Sequence, residues 1–559
     1  MVKRLFRGST SILFRRQKTL LSAAVIMMFL MLASRMLGLV RNWFLAGTFG
    51  VGSALDAYNT GFVLPDLVAV VLINGALSVA FIPIFTTYIS QKGERDAWEM
   101  ASSVLNLSLM VFLFAGVFIF LFPEQLNKLI VPGLDSDTAS AAASLTRVII
   151  FGELLLVVGS FLTASLQSYH RFIAPALAPV AYNLGIIFGI VFLSPHLHII
   201  GVGLGVLIGA FFHVLIQLMI LKHLGYEYFP KLDFKNPGVQ KVIKLSIPRS
   251  IGIGLGQLEW TISIFFASLL PQGSIAILRF AGDIQNFPIA LFGSTIAIAS
   301  FPTFSYEWAS NKLEQFKTTF LSSLHQVLYL AIPLSVIFMT LRIPVVRLLL
   351  GSGLFDWPAT VATATTVSYF AVGIFAQAGF LLVTRAFYAM HDTLTPLRVA
   401  FASLALHIVA GYLFIVVYSL PIQFLGLTSA ASGVFSFTLL LFILDRKIGG
   451  FDRKKLFLPV AKIVVSALVM AIFLYIPLHF KLEGKYIIDL IIDTTRVVNL
   501  ILLTSVVAGA GFTVYFLLTW WFKSEELKSF LNLLPDFRTL TKILVFEEVV
   551  DTDHSSMKS

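Results

Sequence analysis

Two arginines lie close together in the first apolar segment of this 559-residue chain, within the sequence SRMLGLVR that runs from Ser34 to Arg41. A guanidinium group is costly in hydrocarbon unless it faces water or an anion. Its planar fork donates two parallel hydrogen bonds to a phosphate. On a helix, the six-residue spacing places Arg35 and Arg41 about 120° apart. The pair therefore predicts an anion-binding cavity, and the alternative is that the arginines extend toward the membrane interface.

Two acidic residues of the second apolar segment are further candidates. Asp56 lies at the start of this segment, where it is either functional or a charge at a helix N-terminus. Asp66 follows Pro65 and lies deeper. We interpret Asp66 as a cation or proton site, or as a partner for Arg35 or Arg41.

The second half of the chain carries three more charges in apolar segments. Arg279 and Asp283 are four residues apart, so they share one face of a helix. They form either a self-neutralising pair or a cavity-facing group that exchanges partners when substrate arrives. Glu259 lies in the preceding segment. We expect Asp66, Glu259 and Asp283 to serve in coupling or gating, and Arg279 to contact substrate.

The composition requires a membrane to position these charges. Hydrophobic residues make up 58% of the chain and charged residues 12%, against about 25% charged in soluble proteins. So few charges cannot coat several soluble cores, which excludes soluble enzymes, secreted domains and nucleic-acid binders. The chain has no cysteine, which excludes disulfides and thiolate sites.

The apolar segments are long enough to cross about 30 Å of hydrocarbon as helices. We predict an all-α polytopic membrane protein with about fourteen transmembrane helices, called spans here. They lie near 19–44, 56–90, 99–122, 141–168, 174–194, 198–221, 238–270, 274–305, 316–341, 361–390, 396–418, 425–445, 456–479 and 488–522.

Lysine and arginine cluster in alternate loops and at the N-terminus, and this pattern places both termini in the cytoplasm. Arg342 and Arg347 are exceptions, which we assign to an external amphipathic turn. The expected location is the cytoplasmic (inner) membrane of a bacterium.

An internal repeat organises the spans. His170 and His391 lie 221 residues apart, as do Pro175 and Pro396. The offset predicts two parallel six-span lobes around a central cavity, a transporter architecture. The predicted units are a basic N-terminus (1–18), an N-lobe (19–222), a linker (223–237), a C-lobe (238–447), spans 13 and 14 (448–522) and a cytoplasmic tail (523–559).

Motifs for catalysis are scarce. The chain has no P-loop, no HExxH sequence and no convincing metal cluster. We therefore expect a transporter rather than an enzyme, with no catalytic residues, no cofactor, no metal and no nucleic-acid partner.

Several motifs together resemble the bacterial lipid II flippase family, also called MurJ or MviN. They are Ser34-Arg35-x-Leu37-Gly38-x-x-Arg41, Gly75-Ala76-Leu77-Ser78-x-Ala80-Phe81-Ile82-Pro83, Arg171-Phe172-x-x-Pro175-Ala176 and Phe387-Tyr388-Ala389-x-x-Asp392-Thr393-x-Thr395-Pro396.

The resemblance implies a fourteen-helix exporter that moves an undecaprenyl-diphosphate-linked peptidoglycan precursor, lipid II, to the outer leaflet by alternating access. Such a protein serves cell-wall biogenesis and cell shape. The resemblance implies that Ser34, Arg35, Arg41 and Asp56 belong to the substrate cavity. It also implies that spans 13 and 14 form a groove for the lipid tail, and we expect partners among cell-wall synthesis proteins.

The chain also departs from the family pattern. Asp283 stands where the family has an arginine, and Arg279 lies one turn earlier on the same face. Two alternatives therefore stay open. One is an exporter of another polyprenyl-diphosphate-linked glycan, or a cation-coupled drug antiporter, of the same superfamily. The other is a membrane transferase that uses polyprenyl lipids.

Overall fold

The computed structural model of the chain describes residues 20–72, 81–479, 481–482, 485–486 and 497–528. Nearly all of this backbone is helical. The first half contains α1 (Leu20–Phe49), α2 (Ser53–Leu72), α3 (Ile82–Lys92), α4 (Glu94–Leu121), α5 (Pro123–Ile130), α6 (Ser136–Ser168), α7 (Ile173–Phe188), the π-helical segment Gly189–Leu193 and α8 (Ser194–His223).

The second half has a similar order of elements. It contains α9 (Pro237–Ser268), α10 (Ser274–Pro288), the π-helical segment Ile289–Ser294, α11 (Thr295–Ala309), α12 (Leu313–Thr340), α13 (Arg342–Leu350), α14 (Trp357–Ala371), α15 (Ile374–Ala389), α16 (Leu394–Gly411), the π-helical segment Tyr412–Val417 and α17 (Gln423–Lys447). The last described elements are α18 (Arg453–His479), the strands β1 (Lys481–Leu482) and β2 (Lys485–Tyr486), which pair antiparallel, and α19 (Val497–Trp521).

Local sequence explains where several of these helices begin. Asp135 precedes α6, and its carboxylate accepts hydrogen bonds from the N–H groups of Asp137 (3.1 Å) and Thr138 (2.9 Å). These bonds, first of all the one from the Thr138 N–H, lower the pKa of Asp135. Asn236 caps α9 in the same way, ahead of Pro237 in the first turn.

The helices confirm an all-α protein with multiple membrane crossings. Twelve described helical stretches are long and apolar enough to span a membrane, and the bent pair α14–α15 makes thirteen. One of the twelve covers 51 residues, Ile173–His223. At 1.5 Å per residue, that stretch would be more than twice the length that a bilayer core requires if it were straight. It therefore counts as two spans if it folds back on itself.

The chain reverses within this stretch at His198, whose φ of 49° and ψ of −138° are not helical. The two arms pack closely through glycines: a Cβ on Gly185 would lie 2.3 Å from the Gly209 Cα, and one on Gly189 would lie 2.6 Å from the Gly205 Cα. These contacts join α7 and α8 as an antiparallel hairpin. The described part of the chain then contains fourteen spans, as the sequence predicts.

The duplication is visible in the backbone. Residues with left-handed φ recur in both halves, and the pairs are Gly50 and Gly273, Gly93 and Asn311, His170 and His391, His198 and Ser419, and Gly225 and Gly449. His170 and His391 close the same turn, with Arg171 N–H donating to Leu166 O (2.8 Å) and Asp392 N–H donating to Phe387 O (3.0 Å). The structure therefore supports a parallel repeat of six spans.

The second of these turns is reinforced by a carboxylate. Asp392 accepts hydrogen bonds from Thr395 N–H (3.0 Å) and from Lys447. Partial burial acts to raise the pKa of Asp392, but the bonds from Lys447 and Thr395 outweigh it and hold the pKa at about 2. These contacts stabilise the turn that leads into α16.

Some predicted boundaries differ from the described helices. Within the predicted span 56–90, α2 is described to Leu72 and α3 from Ile82, and residues 73–80 lie outside the described residues. The turn predicted at Arg342 and Arg347 is the nine-residue helix α13. The predicted basic N-terminus (1–18) and the tail beyond residue 528 lie outside the described residues.

The two halves share one hydrophobic core near one membrane face. This core joins Leu45 and Leu55 of the first half to Ile275 and Phe355 of the second. We call this side the gate face, defined by the loops 50–52, 131–135, 269–273 and 351–356. The opposite side, defined by the loop at Gly93 and the linker 224–236, is called the linker face.

Candidate functional site

A row of polar side chains, called the interlobe chain here, crosses from one lobe to the other. Its members are Asn183, Arg41, Asn42, Asp283 and Arg279. It begins at Arg41 of α1, whose Nη1 donates to Asn183 Oδ1 of α7 (3.4 Å). Its Nε and Nη2 donate to Asn42 Oδ1 (3.2 and 2.9 Å). These described partners are neutral amide oxygens, so the positive charge of Arg41 is solvated within the protein but not neutralised by them.

The interlobe chain continues into the second lobe through the side chain of Asn42. Asn42 is buried, and its Nδ2 donates to Asp283 Oδ2 of α10 at 3.0 Å. Asp283 Oδ1 in turn lies 3.6 Å from Arg279 Nε. The Arg279 guanidinium lies 5.8 Å from the ring centroid of Trp260 on α9. The predicted Arg279–Asp283 pair is therefore present, and it is connected to Arg41 by one amide side chain.

Ser34 and Arg35 occupy different positions relative to this interlobe chain. Asn183 Nδ2 lies 3.5 Å from both the backbone oxygen and the Oγ of Ser34. Arg35 is exposed and makes no hydrogen bond or ion pair with another described residue. The structure therefore brings Ser34, Arg41, Arg279 and Asp283 together, and it leaves Arg35 outside the chain of contacts.

Asp56 joins the lobes at the gate face. Its side chain is buried, and Oδ2 accepts from Gly273 N–H (2.6 Å) while Oδ1 accepts from Ala276 N–H (2.8 Å). These donors are the N-cap residue of α10 and a residue of its first turn, in the other lobe. A carboxylate at that position pairs with free N–H groups and with the positive end of the helix dipole. Asp56 thus acts as a helix cap supplied across the lobe interface.

Further contacts close the same face. Leu354 N–H donates to Gly47 O (2.8 Å), and Ser352 Oγ donates to Trp43 O (3.1 Å). Gln272 Nε2 donates to Asp135 Oδ2 at 2.7 Å. Each of these bonds links the first lobe to the second. A path through the gate face requires all of them to break together with the Asp56 cap.

Asp66 and Glu153 lie close to the interlobe chain. Their carboxyl groups, on α2 and α6, interact with each other, and the charge of Arg279 acts on Asp66. Among the described residues, no ion pair joins Asp66 to Arg35 or Arg41. The structure therefore groups Asp66 with Arg279 rather than with the arginines of α1.

Glu259 occupies a separate position inside the second lobe. Its Oε1 accepts from Ser432 Oγ of α17 (2.8 Å) and lies 3.3 Å from His407 Nδ1 of α16. It borders a cavity of about 340 Å³ that Trp260 also lines. Trp260 thus touches both this cavity and the Arg279 end of the interlobe chain.

A second cavity is apolar and larger. It has a volume of about 600 Å³ and lies between α2 and α4 of the first lobe and α9 of the second. Leu67, Val104 and Ile247 are among its lining residues. Within the described part of the chain, no group of three or more histidines and carboxylates could hold a metal ion.

Sequence reasoning assigned no site role to the amides. Asn42 and Asn183 connect the charged residues, but asparagine in an apolar segment has several structural explanations. The position of Asn42 beside Arg41, within a segment with few polar residues, is the signal that could have found it. Asn183 lies 142 residues from Arg41, and no local pattern brings them together.

The arrangement of spans is that of a known class of membrane transporter. A solved structure described as an inward-facing conformation of a multidrug resistance MATE family transporter of the MOP superfamily aligns with a TM-score of 0.62, at 15% identity over 76% of this chain and 98% of that chain. A structure of lipid II flippase MurJ in an inward closed conformation aligns with a TM-score of 0.73, at 23% identity over 89% of this chain and 98% of that chain. The chain therefore has the two-lobed fold of these two transporters.

Sequence comparison identifies the family within that class. The family model described as lipid II flippase MurJ matches residues 45–493, and the chain belongs to this family. A probable lipid II flippase MurJ of Buchnera aphidicola subsp. Schizaphis graminum is 27% identical over 83% of this chain and 90% of that relative. The lipid II flippase MurJ of Burkholderia cenocepacia is 26% identical over 79% and 86%.

Proposed function

We propose that this chain is a lipid II flippase. It moves the undecaprenyl-diphosphate-linked peptidoglycan precursor from the inner to the outer leaflet of the cytoplasmic membrane by alternating access. The observation that carries the proposal is the interlobe chain, in which two guanidinium groups, of Arg41 and Arg279, meet one carboxylate, of Asp283. The charge of Arg41, whose described partners are neutral amide oxygens, lies between the two lobes and suits a diphosphate head group.

The bound diphosphate replaces weaker partners of the two arginines. Arg41 exchanges the amide oxygens of Asn42 and Asn183 for phosphate oxygens, which accept stronger, charge-assisted hydrogen bonds. Arg279 exchanges Asp283 in the same way. Ser34 borders this site through Asn183, and Arg35, which is exposed and has no described partner, provides a third guanidinium for the head group.

Transport requires the gate face to open after the head group is bound. The Asp56 cap and the neighbouring backbone bonds hold the lobes together on that face. Binding energy at the interlobe chain must favour the arrangement in which these contacts are broken. Asp56 therefore serves as a gate residue, and its contribution to the substrate cavity depends on that opening.

In the proposed orientation in the membrane, the linker face is on the cytoplasmic side. The linker 223–237 and the loops near Lys92 and Lys312 carry the positive charges that remain on the cytoplasmic side. The lobes comprise 19–222 and 238–447, and both termini are cytoplasmic. Opening of the gate face then exposes the head group to the outer leaflet.

The lipid tail follows a groove of the last two spans, within 448–522. Helix α19 is fastened to the second lobe, because Tyr515 Oη donates to Tyr329 O of α12 at 2.9 Å. A groove fixed to one lobe keeps the tail in the bilayer while the head group crosses. Partner proteins of cell-wall synthesis would supply lipid II on one side and consume it on the other.

Depletion of the protein tests this function. The expected result is accumulation of lipid II in the inner leaflet, measured by extraction and mass spectrometry of lipid-linked intermediates. Accumulation of a different polyprenyl-diphosphate glycan with normal lipid II would contradict the proposal and favour the other exporters of the superfamily. Synthesis of a lipid-linked product by the purified protein would favour the transferase.

A further inference from the structure

Asn42 is a buried amide placed between two groups of opposite charge. It is 6% exposed and follows Arg41 in α1. Its Oδ1 accepts hydrogen bonds from the Arg41 guanidinium, and its Nδ2 donates to Asp283 Oδ2 at 3.0 Å. An arginine and an aspartate are thus separated by one neutral side chain. Direct contact between them would form an ion pair, so Asn42 decides whether Arg41 remains available to a ligand.

The charges on either side fix the orientation of this amide. A carboxamide has one acceptor oxygen and one donor NH₂ group. The oxygen of Asn42 faces the guanidinium, which has only donors, and the NH₂ group faces the carboxylate, which has only acceptors. Rotating the amide by half a turn would place donor against donor and acceptor against acceptor. Asn42 therefore has one favourable orientation, and that orientation satisfies both neighbours at once.

The amide is a weak partner for the edge of Arg41 that best recognises phosphate. Nε and Nη2 lie on one edge of the guanidinium and donate at 3.2 and 2.9 Å to the same Oδ1 atom. A diphosphate would offer this edge two charged oxygens, one for each N–H group. A single uncharged oxygen holds the edge in place without neutralising it. The edge is consequently oriented for an anion, which is a better partner than the one it replaces.

The same amide holds Asp283 toward the second lobe. Asp283 Oδ2 accepts from Asn42, and Asp283 Oδ1 lies 3.6 Å from Arg279 Nε. The two carboxylate oxygens are thus used by two residues, one from each lobe. Within the described part of the chain, Arg41 has no carboxylate partner. Of the two guanidinium groups in the interlobe chain, one is paired with the carboxylate and the other is kept apart from it.

Asn183 gives Arg41 a second neutral partner. Arg41 Nη1 donates to Asn183 Oδ1 at 3.4 Å, and Asn183 Nδ2 donates to Pro179 O of its own helix at 3.0 Å. The bond to Pro179 fixes the Asn183 amide with its oxygen toward Arg41. Two amides, from α1 and α7, therefore hold the arginine in position, and neither supplies a negative charge. These surroundings orient the guanidinium and preserve its charge.

We propose that Asn42 is a positioning residue for the diphosphate head group, because it separates Arg41 from Asp283 and so keeps one guanidinium unpaired for the substrate. This inference rests on the proposed function, which it deepens by naming the residue that keeps the site selective for an anion. In Asn42→Asp, Arg41 forms an ion pair within the protein, and the head group must compete with it. In Asn42→Ala, Arg41 and Asp283 are free to pair directly. Either change lowers the affinity for a diphosphate while both arginines remain.

Equilibrium binding of undecaprenyl diphosphate to the purified protein in lipid nanodiscs tests this role. The probe has the head group and the lipid tail but no glycan. Asn42→Asp, which changes the charge and hardly the shape, should weaken binding roughly 10- to 100-fold, the effect of losing a charge-assisted hydrogen bond. Asn311→Asp is the matched control, because it makes the same chemical change at an exposed turn between α11 and α12. Its affinity should stay within about twofold of the parent.

A double-mutant cycle separates this role from a purely structural one. Asn42→Ala should weaken binding in the parent, where Asp283 can then pair with Arg41. In the Asp283→Asn background no carboxylate is present at that position, so Asn42→Ala should change the affinity by about twofold or less. A residue that served only to pack α1 against α10 would show the same loss in both backgrounds.

Three outcomes would overturn the inference. The first is an Asn42→Asp protein that binds undecaprenyl diphosphate as tightly as the parent, and the second is an equal effect of Asn42→Ala in both backgrounds. The third is a parent protein that does not bind the probe. Because the probe carries no glycan, the result is separate from that of the depletion experiment. Accumulation of another polyprenyl-diphosphate glycan there would refute the lipid II assignment and leave the role of Asn42 intact.

Discussion

Replacing Arg41 by alanine should weaken binding of a diphosphate lipid by a large factor without unfolding the protein. In the free protein, Arg41 makes three hydrogen bonds to amide oxygens at 2.9–3.4 Å. With substrate bound, the same donors bind negatively charged phosphate oxygens, and each such bond is worth about 1.5–3 kcal/mol. After subtraction of the amide contacts that are given up, the net loss in Arg41→Ala is about 2–3 kcal/mol. That loss corresponds to roughly 30- to 150-fold weaker affinity.

The assay is equilibrium binding of fluorescent lipid II to purified protein. Arg147→Ala is the matched control, because Arg147 is a partly exposed arginine of the same lobe, 3.6 Å from Glu124. Its affinity should stay within about twofold of the parent, since surface pairs contribute little. Arg41→Lys should be intermediate, because lysine keeps the charge and loses the fork. An Arg41→Ala protein that binds as tightly as the control would refute the role assigned to this guanidinium.

Three other predictions follow from contacts described above. Asp56→Asn removes the charge that caps α10. The distance distribution between spin labels at Thr48→Cys and Leu354→Cys, two exposed positions of the gate face, should therefore broaden. An unchanged distribution would exclude a gate role. Gly185→Ala should lower the melting temperature, because the added Cβ would lie 2.3 Å from the Gly209 Cα. The control is Gly252→Ala, where the added Cβ meets open space, and this variant should be neutral or slightly stabilising. Because folding lowers the pKa of Asp392 from 3.8 to about 2, its contribution to stability is present above about pH 4 and is lost as pH falls through 2. Asp392→Asn should therefore destabilise the protein at neutral pH, with the difference vanishing under strong acid; a constant difference across pH would contradict this.

Sequence patterns were sufficient for the architecture because the architecture depends on hydrophobicity and repetition. The repeat offset between His170 and His391 predicted a duplication, and the left-handed backbone at both positions reflects it. The reversal at His198 was predicted by the division of two apolar segments near residue 196.

The site could be predicted only in part, because its charges are local features and their connections are not. Arg41, Arg279 and Asp283 are conspicuous in apolar segments, and the cost of burying charge is enough to identify them. The capping of α10 by Asp56 joins residues 217 positions apart, and it depends on how the lobes pack. The pairing of Glu259 with His407 likewise requires three helices to meet, which a single sequence does not specify.

A disulfide across the gate face tests alternating access most directly. A Cβ on Gly47 would lie 3.4 Å from the Ser352 Cβ, close to the separation of about 3.5–4.5 Å found in disulfides. In Gly47→Cys/Ser352→Cys, introduced into a chain without other cysteines, oxidation should stop the appearance of lipid II in the outer leaflet, and a reductant should restore it. Undiminished translocation by the fully cross-linked protein would contradict the account, because the lobes would then carry the lipid across without ever opening this face.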